Sequence, residues 1–398
     1  MFKPHPEERR IAQSAADTAI YDLLVIGGGV NGVGIANDAA GRGLSVLLCE
    51  QHDLASHTSS ASSKLVHGGL RYLEHYEFRL VREALGEREV LLKKAPHIIW
   101  PLRFVLPHRP HLRPRWMLRA GLFLYDHLGK RTTLPGSTGG PLNGQGPLKP
   151  EIDYAFEYSD CWADDARLVV LNAVQAASLG ADIRPYTRCE SASRVGDLWQ
   201  VDLLVGEHVR ERVQARALVN AAGPWAARVM ERVVSTRSPY GVRLVQGSHI
   251  VVPELYHGRQ AYILQNEDER IVFVLPYEGG YSLIGTTDVD YQGDPARVEP
   301  TDGEVEYLLE VVNGHFKRQL KHSDICHRFS GVRPLISDAS EADPSAVSRD
   351  YSLTLHGDAS EAPLLAVYGG KLTTYRRLAE AAVDKLKPWF PNATPAWT

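Results

Sequence analysis

The chain has 398 residues, which is enough for about two or three domains with a substantial core. Hydrophobic residues make up 44% and charged residues 23%, as in an ordinary soluble α/β protein, and the formal net charge of −4 argues against a nucleic-acid partner. The four cysteines are far apart, so we predict neither disulfides nor a metal site. Residues 1–19 lack the apolar core of a signal peptide and are predicted to be a mobile leader, and no apolar run is long enough to span a membrane.

A dinucleotide-binding pattern follows the leader. An apolar run predicts a buried parallel strand, and Gly27, Gly29 and Gly32 come directly after it as G-x-G-x-x-G, before a helix that begins near Val30. These glycines permit a tight turn, close approach of a pyrophosphate, and close packing of the helix on the strand. Glu50 ends the next strand, 21 residues after Gly29, where a carboxylate accepts hydrogen bonds from a ribose. The pattern favours a dinucleotide over an ordinary glycine turn but does not distinguish NAD from FAD.

The next segment is polar and rich in serine. It offers hydroxyl, amide and cationic partners for a pyrophosphate or another part of a dinucleotide, although a serine here could equally cap a loop. The candidate residues are Ser59, Ser60, Ser62, Ser63 and Lys64. A helix is predicted from Arg79 to Lys94, because its leucines and alanines recur at helical spacing.

A basic segment comes next. Between Pro96 and Pro135 there are seven Lys or Arg residues and one acid. Within it, a predicted helix from Arg115 to Arg131 mixes arginines with large apolar residues, which suits a helix lying on an anionic membrane surface. The alternatives are a core helix with solvated arginines and a site for an anionic substrate. The stretch from residue 136 to 150 is predicted to be irregular, since it is rich in turn-forming residues.

The sequence of the second half of the chain predicts a further sheet and two more glycine turns. A helix from Asp164 to Leu179 begins with two acids, which we interpret as a helix cap. A later apolar strand leads into Gly223 and Pro224, where the backbone could approach a flat cofactor, and we predict that Trp225 fills the core. Short alternating strands from residue 241 to 290 predict an antiparallel sheet. Near the end, Gly370 and Lys371 separate a strand from a helix whose N-terminus could face a flavin.

Several long motifs resemble the FAD-dependent glycerol-3-phosphate dehydrogenases, the aerobic, quinone-reducing branch of the amino-acid-oxidase-like flavoproteins. The resemblance extends from about residue 21 to the end of the chain and rests on IGGGVNGVGIANDAAGRGLSV, TSSASSKLVHGGLRYLEHYEFRLVREAL, EYSDCWADDARLV, VNAAGPW, IGTTDVDYQGDP, FSGVRPL and GGKLTTYRRLAE. Family members continue into a further C-terminal helical region, so the resemblance implies a shortened chain.

The resemblance implies an α/β fold in which a Rossmann-like FAD-binding domain of the glutathione-reductase type carries an inserted, mainly antiparallel β-sheet substrate domain. We expect the FAD-binding domain to comprise residues 20–95, 151–235 and 331–398. Residues 96–150 would form the basic, membrane-facing insertion, and residues 236–330 the substrate-binding cap.

The family reaction oxidises sn-glycerol 3-phosphate to dihydroxyacetone phosphate, and a phosphate dianion needs fixed cations. The resemblance assigns substrate contacts to Arg71, Tyr72, His249, Arg333, Arg349 and Lys371. The cations could otherwise be structural ion pairs. His67 is our first choice of catalytic base and His249 the second, while Arg333 and Lys371 are expected to assist catalysis. Besides the residues named above, the FAD contacts would include Asn31, His67, Gly68, Gly69, Lys371 and Thr373.

The family's partners would then be FAD, glycerol 3-phosphate, dihydroxyacetone phosphate, membrane quinone and an anionic membrane surface. The protein is expected in the cytoplasm, peripheral on the inner membrane, and a homodimer is a candidate assembly. Two alternatives remain from the sequence. A soluble glycerol-3-phosphate oxidase would use dioxygen, and an incompetent module would bind FAD without reacting.

Overall fold

A computed structural model describes residues 19–337, 350–357 and 361–398. The predicted leader lies outside the described residues except for residue 19. In chain order the strands are β1 (Ile20–Ile26), β2 (Val46–Cys49), β3 (Leu65–Val66), β4 (Ile99–Pro107), β5 (Thr138–Pro141), β6 (Tyr154–Ala163), β7 (Asp182–Arg184), β8 (Thr187–Val195), β9 (Leu198–Val205), β10 (Val209–Asn220), β11 (Gly241–Pro253), β12 (Ala261–Gln265), β13 (Ile271–Tyr277), β14 (Tyr281–Gly285), β15 (Val289–Asp290), β16 (His327–Ser337), β17 (Ser352–His356) and β18 (Leu364–Tyr368). The α-helices are α1 (Val30–Gly41), α2 (Phe78–Lys94), α3 (Arg115–His127), α4 (Asp165–Ser178), α5 (Ala226–Arg232), α6 (Asp302–His315) and α7 (Tyr375–Leu386).

The first sheet is the predicted nucleotide-binding sheet. Its central order is β17-β18-β10-β1-β2-β7, in which β18, β10, β1, β2 and β7 are parallel, while the antiparallel strands β8 and β9 extend from β10. The inner part of β1 is fully buried because helices α1, α4 and α7 pack on one face and α5 on the other. This is the architecture that a continuous apolar strand requires.

The second sheet is mainly antiparallel, with the order β15-β11-β14-β13-β12-β4-β6-β3, and with β16 beside β11 and β5 beside β6. Helix α6 packs on one face, and α2 and α3 contribute to the core on the other. The predicted antiparallel region from 241 to 290 is confirmed.

The membership of the second sheet departs from the predicted domain boundaries. Strands β3, β4, β5 and β6 precede residue 236 but pair within this sheet, and β16 crosses the expected boundary at residue 331. The stretch predicted to be irregular contains β5, whose backbone pairs with β6. Alternation of side chains identifies strands but does not say which strands pair, because that choice depends on contacts distant in sequence.

Helix α3 is shorter than predicted and has two different faces. Leu122 and Tyr125 are buried in the core, while Trp116 and Phe123 are 69% and 60% exposed. The helix therefore packs on the second sheet and leaves bulky apolar side chains uncovered. Among the described residues, no helix is both long and apolar enough to cross a bilayer.

Candidate functional site

A cavity of about 1020 Å³ is lined by residues of both sheets. It brings together the three glycine-containing segments predicted from the sequence, joined by β11 and β16. The predicted site residues in its wall are Gly27, Gly29, Asn31, Glu50, Ser59, Ser62, Ser63, His67, Gly69, Arg71, Tyr72, Gly223, Pro224, His249, Arg333, Gly370, Lys371 and Thr373. Gly32, Ser60, Lys64 and Gly68 do not line it. Arg349 lies outside the described residues.

The first glycine turn has no space for side chains. Gly27 has a φ of +115°, and a Cβ there would lie 2.5 Å from the carbonyl oxygen of Ala221. A Cβ on Gly32 would lie 1.9 Å from the carbonyl oxygen of Gly27, so this glycine allows α1 to pack against the turn. The backbone N–H of Val30, at the start of α1, donates to Ser59 Oγ at 3.0 Å. The serine-rich loop therefore lies at the helix N-terminus, which is the site that the pattern predicts for a pyrophosphate.

Glu50 lies at the end of β2, beside the glycine turn. Its carboxylate accepts hydrogen bonds from the backbone N–H groups of Gly28, at 2.7 Å, and His52, at 2.8 Å. These bonds fix an anionic acceptor in the cavity wall, as the ribose hydroxyls of a dinucleotide require.

The last glycine turn is tied to the first helix. Asn31 Nδ2 donates to the carbonyl oxygen of Gly369 at 3.1 Å, and a Cβ on Gly370 would lie 2.7 Å from the same Nδ2 atom. Within the described part of the chain, Asn31 Oδ1 is buried without a hydrogen-bond partner. The backbone N–H of His67 donates to Thr373 Oγ1 at 3.2 Å. Segments from the beginning, middle and end of the sequence thus form one wall.

Lys64 has a structural role in place of the predicted cofactor contact. Its Nζ lies 2.7 Å from Asp165 Oδ1, and Ser62 Oγ donates to the other oxygen of the same carboxylate at 2.7 Å. Asp165 is fully buried, and although burial raises its pKa, Lys64 and Ser62 favour the ionised form. Asp164 accepts from the backbone N–H of Arg167, so the helix-cap interpretation is confirmed for Asp164.

His67 is half-buried next to the last turn, and its environment favours the neutral ring. The backbone N–H of Gly69 donates to His67 Nδ1 at 3.1 Å. Burial lowers the pKa of His67, and the charge of Lys371 lowers it further, against the opposing effect of Asp160. With Nδ1 accepting, the ring proton is on Nε2. In this state Nε2 donates a hydrogen bond and does not accept a proton.

His249 is buried on β11, and one of its ring nitrogens has no hydrogen-bond partner among the described residues. Its Nε2 lies 3.0 Å from Ser63 Oγ, and its ring stacks on Phe329 with 4.9 Å between centroids. Nδ1 is buried without a partner among the described residues. Burial lowers the pKa of His249 to about 3, assisted by the nearby charges of Arg333 and Lys64.

Cationic side chains lie in the same wall. Arg333 Nη2 donates to the carbonyl oxygen of Thr287 at 2.6 Å and lies 2.7 Å from Asp288 Oδ1. Lys371 Nζ lies 4.0 Å from the ring centroid of Tyr72. Arg71 is half-buried. Positive charge is therefore held beside His67 and His249, in an arrangement that suits a small anion.

Sequence reasoning missed two groups at the site. Asp160 is buried close enough to His67 to affect its pKa, and it accepts from the backbone N–H of Gly68 at 3.2 Å, from Tyr125 Oη at 2.8 Å and from Arg88 Nη1 at 2.7 Å. No local motif marks this cluster, because its members come from different elements.

The second group lies at the other end of the cavity. Trp225 was predicted to fill the core, but it lines the cavity, with its ring centroid 4.8 Å from that of His57. His57 Nε2 in turn lies 2.9 Å from His52 Nδ1. The strand-ending Ala-Gly-Pro turn explains the difference, because it directs the chain to the sheet edge where the cavity opens.

Comparison with known proteins agrees with this geometry. The model of the family described as FAD dependent oxidoreductase matches residues 22–376. The chain belongs to this family. The cofactor prediction of FAD and the predicted fold class are thereby confirmed, together with the resemblance to FAD-dependent glycerol-3-phosphate dehydrogenases.

Similar proteins with this family's chemistry are found in several bacteria. Glycerol-3-phosphate dehydrogenase of Pseudomonas aeruginosa is 64% identical over 97% of this chain and 75% of that protein. Aerobic glycerol-3-phosphate dehydrogenase of Escherichia coli K12 is 60% identical over 95% of this chain and 75% of that protein. D-erythritol 1-phosphate dehydrogenase of Brucella abortus is 54% identical over 96% of this chain and 77% of that protein.

Among solved structures, glycerol-3-phosphate dehydrogenase from Bacillus halodurans complexed with FAD matches with a TM-score of 0.73 at 29% identity. The match covers 95% of this chain and 66% of that chain, so this chain spans just under two thirds of that protein's length.

The residues of this chain fit FAD. The glycine turn excludes side chains from the start of α1, the carboxylate of Glu50 lies where a ribose acceptor would be needed, and the unpartnered Oδ1 of Asn31 would offer a further buried acceptor. The cavity continues from this region to His249 and Arg333 and is large enough for an extended dinucleotide and a small substrate.

Proposed function

We propose that this protein oxidises sn-glycerol 3-phosphate to dihydroxyacetone phosphate. The observation that carries the proposal is the presence of Arg71, Arg333 and Lys371 in the wall of the cavity that also contains the dinucleotide-binding turn. The names of the relatives at 60–64% identity support the same substrate. FAD, when bound, supplies the acceptor for the hydride that leaves carbon 2 of the substrate.

The cations bind and orient the substrate. A phosphate dianion accepts charge-assisted hydrogen bonds from arginine, and Arg333 is already oriented by Thr287 and Asp288. Lys371 precedes α7 and adds positive charge near the cofactor, where it stabilises negative charge that develops during the reaction. The phosphate thus fixes the polyol so that its carbon 2 has a constant position.

His249 is the better candidate for the proton acceptor. Loss of hydride from carbon 2 requires that the hydroxyl proton pass to a base. If the Ser63 hydroxyl accepts from Nε2–H of His249, then Nδ1 presents a lone pair, whereas Nδ1 of His67 already accepts from Gly69. We therefore reverse our sequence-based preference and assign His67 a donor role through Nε2.

Anaerobic titration with substrate tests three things together: the bound cofactor, the identity of the substrate and the catalytic activity of the protein. Adding sn-glycerol 3-phosphate to the FAD-loaded protein should bleach the oxidised flavin spectrum. D-erythritol 1-phosphate should be included, since a relative at 54% identity carries the name of its dehydrogenase. An unchanged spectrum with sn-glycerol 3-phosphate would reject the proposal, and an unchanged spectrum with both compounds would leave the non-catalytic module.

The proposed electron acceptor is a membrane quinone. The exposed apolar residues of α3 support this choice over dioxygen, because a soluble oxidase has no need for a membrane surface. Stopped-flow reoxidation of the reduced protein should be fast with a quinone analogue and slow with dioxygen. Rapid formation of peroxide without quinone would identify an oxidase instead.

We further propose that α3 attaches the protein peripherally to the inner face of the cytoplasmic membrane. Trp116 and Phe123 are exposed on a helix that is flanked by arginines, which matches the composition of interfacial helices. Replacing both residues with serine should abolish sedimentation with anionic vesicles. The matched control is Val174→Ser on α4, which is 58% exposed and should leave vesicle binding unchanged. Equal vesicle binding by all variants would reject α3 as the attachment surface.

The sheets suggest a revised division into functional units. The first sheet with its helices would bind FAD, and the second sheet would hold the substrate and α3. The substrate unit would thus include β3 to β6 as well as the strands after residue 236.

A further inference from the structure

A buried carboxylate lies behind the wall that holds Arg333. Glu304, in the first turn of α6, is 4% exposed. Its Oε1 accepts from Thr287 Oγ1 at 2.5 Å and from Ser248 Oγ at 2.7 Å. Its Oε2 accepts from Gln246 Nε2 at 2.8 Å and from the backbone N–H of Thr301 at 3.0 Å. One side chain therefore connects α6, β11 and the turn between β14 and β15.

The network depends on a group that only accepts hydrogen bonds. Both oxygens of the Glu304 carboxylate accept hydrogen bonds, and neither has to donate one. Because the hydroxyl of Thr287 donates to Glu304, its lone pairs remain available, and the backbone N–H of Ser248 donates to it at 3.0 Å. An amide at position 304 has one acceptor oxygen in place of two, so either the hydroxyls of Thr287 and Ser248 or the amide of Gln246 would lose their acceptor.

The same turn orients the guanidinium of Arg333. The carbonyl oxygen of Thr287 accepts from Nη2 at 2.6 Å, and Asp288 Oδ1 lies 2.7 Å from the same nitrogen. The backbone of Arg333 is fixed separately, by pairing with Val245 in the β11–β16 ladder. The position of the charged group therefore depends on the turn, and the turn depends on Glu304.

We infer that Glu304 is a positioning residue that orients Arg333, through Thr287, for binding a phosphate monoester dianion. The inference rests on the proposed function only in taking Arg333 as a phosphate ligand. Glu304 does not line the cavity and so acts without touching the substrate.

A double-mutant cycle with inorganic phosphate as the probe tests this inference. The dissociation constant of phosphate is measured on the FAD-loaded protein, by calorimetry, for the wild type, Glu304→Gln, Arg333→Ala and the double variant. We expect Glu304→Gln to weaken phosphate binding about tenfold in the wild-type background and to have no further effect in the Arg333→Ala background. A purely structural role would give the same factor in both backgrounds and would overturn the inference, as would unchanged phosphate binding in Arg333→Ala.

The double-mutant cycle needs a control that makes the same substitution elsewhere on α6. It also needs a second substitution within the Glu304 network. Glu306→Gln removes the same charge from an exposed position on α6 and should leave phosphate binding unchanged. If Glu304→Gln does not fold, Thr287→Val removes the hydroxyl and should weaken binding in the same Arg333-dependent manner, with Thr287→Ser restoring it. A Thr287→Val protein with wild-type affinity would also overturn the inference.

The KM and kcat values complete the test. Glu304→Gln should raise KM for glycerol 3-phosphate by a larger factor than it lowers kcat. If the wild type binds phosphate but glycerol 3-phosphate does not reduce its flavin, the proposed function fails while the phosphate cycle still decides the role of Glu304.

Discussion

His249 combines features that are rarely found on one side chain: full burial, an unpartnered ring nitrogen and two neighbouring cations. Its pKa is lowered to about 3, so the ring is neutral at pH 7. A substrate phosphate would neutralise the charge of Arg333 and remove part of this effect. Binding of the anion would thereby raise the proton affinity of His249 when a proton has to be taken up.

His249→Asn should separate proton transfer from cofactor binding. We expect the rate of flavin reduction by glycerol 3-phosphate to fall by about 10² to 10⁴, the usual contribution of a general base. The amount of bound FAD should change little. Stopped-flow absorbance measures both, and His67→Asn is the comparison variant, which should retain more of the rate. An undiminished rate in His249→Asn would exclude it as the base.

Arg333→Ala should weaken binding of the phosphorylated substrate. Loss of a charge-assisted contact costs on the order of 2 kcal/mol, so KM should rise by about 30-fold. Arg328→Ala is a matched control, because Arg328 lies on the same strand and forms an exposed ion pair with Asp302. Initial rates over a range of substrate concentrations provide the measurement. Equal KM values for the two variants would remove Arg333 from the phosphate site.

At the scale of elements, the first turn can pack against α1 only because its glycines have no side chain. Gly32→Ala should weaken FAD binding and destabilise the protein, because the new Cβ would lie 1.9 Å from the carbonyl oxygen of Gly27. Gly86→Ala on α2 is the matched control, since its Cβ would meet nothing within 4 Å. That change should raise the free energy of unfolding by about 0.5–1 kcal/mol. Flavin release on dilution and denaturant unfolding measure the two effects. Normal FAD retention in Gly32→Ala would contradict this account of the turn.

The sequence predicted a structural feature best where all the residues that form it are close together in the chain. The strand, turn and helix around Gly27 were predictable because their residues are adjacent, and α2 was predictable from its helical spacing. The pairing of Lys64 with Asp165 was not, since it joins residues 101 positions apart. The Asp160 cluster was missed for the same reason. Local patterns indicate which groups are present, whereas tertiary contacts decide which of them remain available to a ligand.

At the scale of the molecule, buried neutral histidines make stability depend on pH. Burial lowers the pKa of His315 to about 4, as it lowers that of His249 to about 3. Below about pH 6.5 the unfolded chain binds protons that the folded state does not, so stability falls as the pH decreases towards 4. Above pH 6.5 these residues are neutral in both states and cause no loss.

His315→Asn tests this dependence away from the cavity. Asparagine can still donate to the carbonyl oxygen of Val311, the partner of His315 Nδ1. Between pH 6 and 5 the free energy of unfolding of the wild type should fall more steeply, by about 1.4 kcal/mol per pH unit, than that of the variant. Denaturant unfolding at constant FAD concentration gives both slopes. Parallel slopes would show that His315 is not protonated on unfolding.

The hydrogen bond between Asn31 and Gly369 joins residues 338 positions apart. During synthesis the glycine turn leaves the ribosome early, whereas α7, which packs on α1, follows only after the rest of the sheet. At typical rates of translation this interval is on the order of tens of seconds. During this interval α7 is not present to pack on the apolar face of α1, and one wall of the cavity is absent. We therefore expect FAD to be loaded only after α7 has been synthesised and has packed on α1.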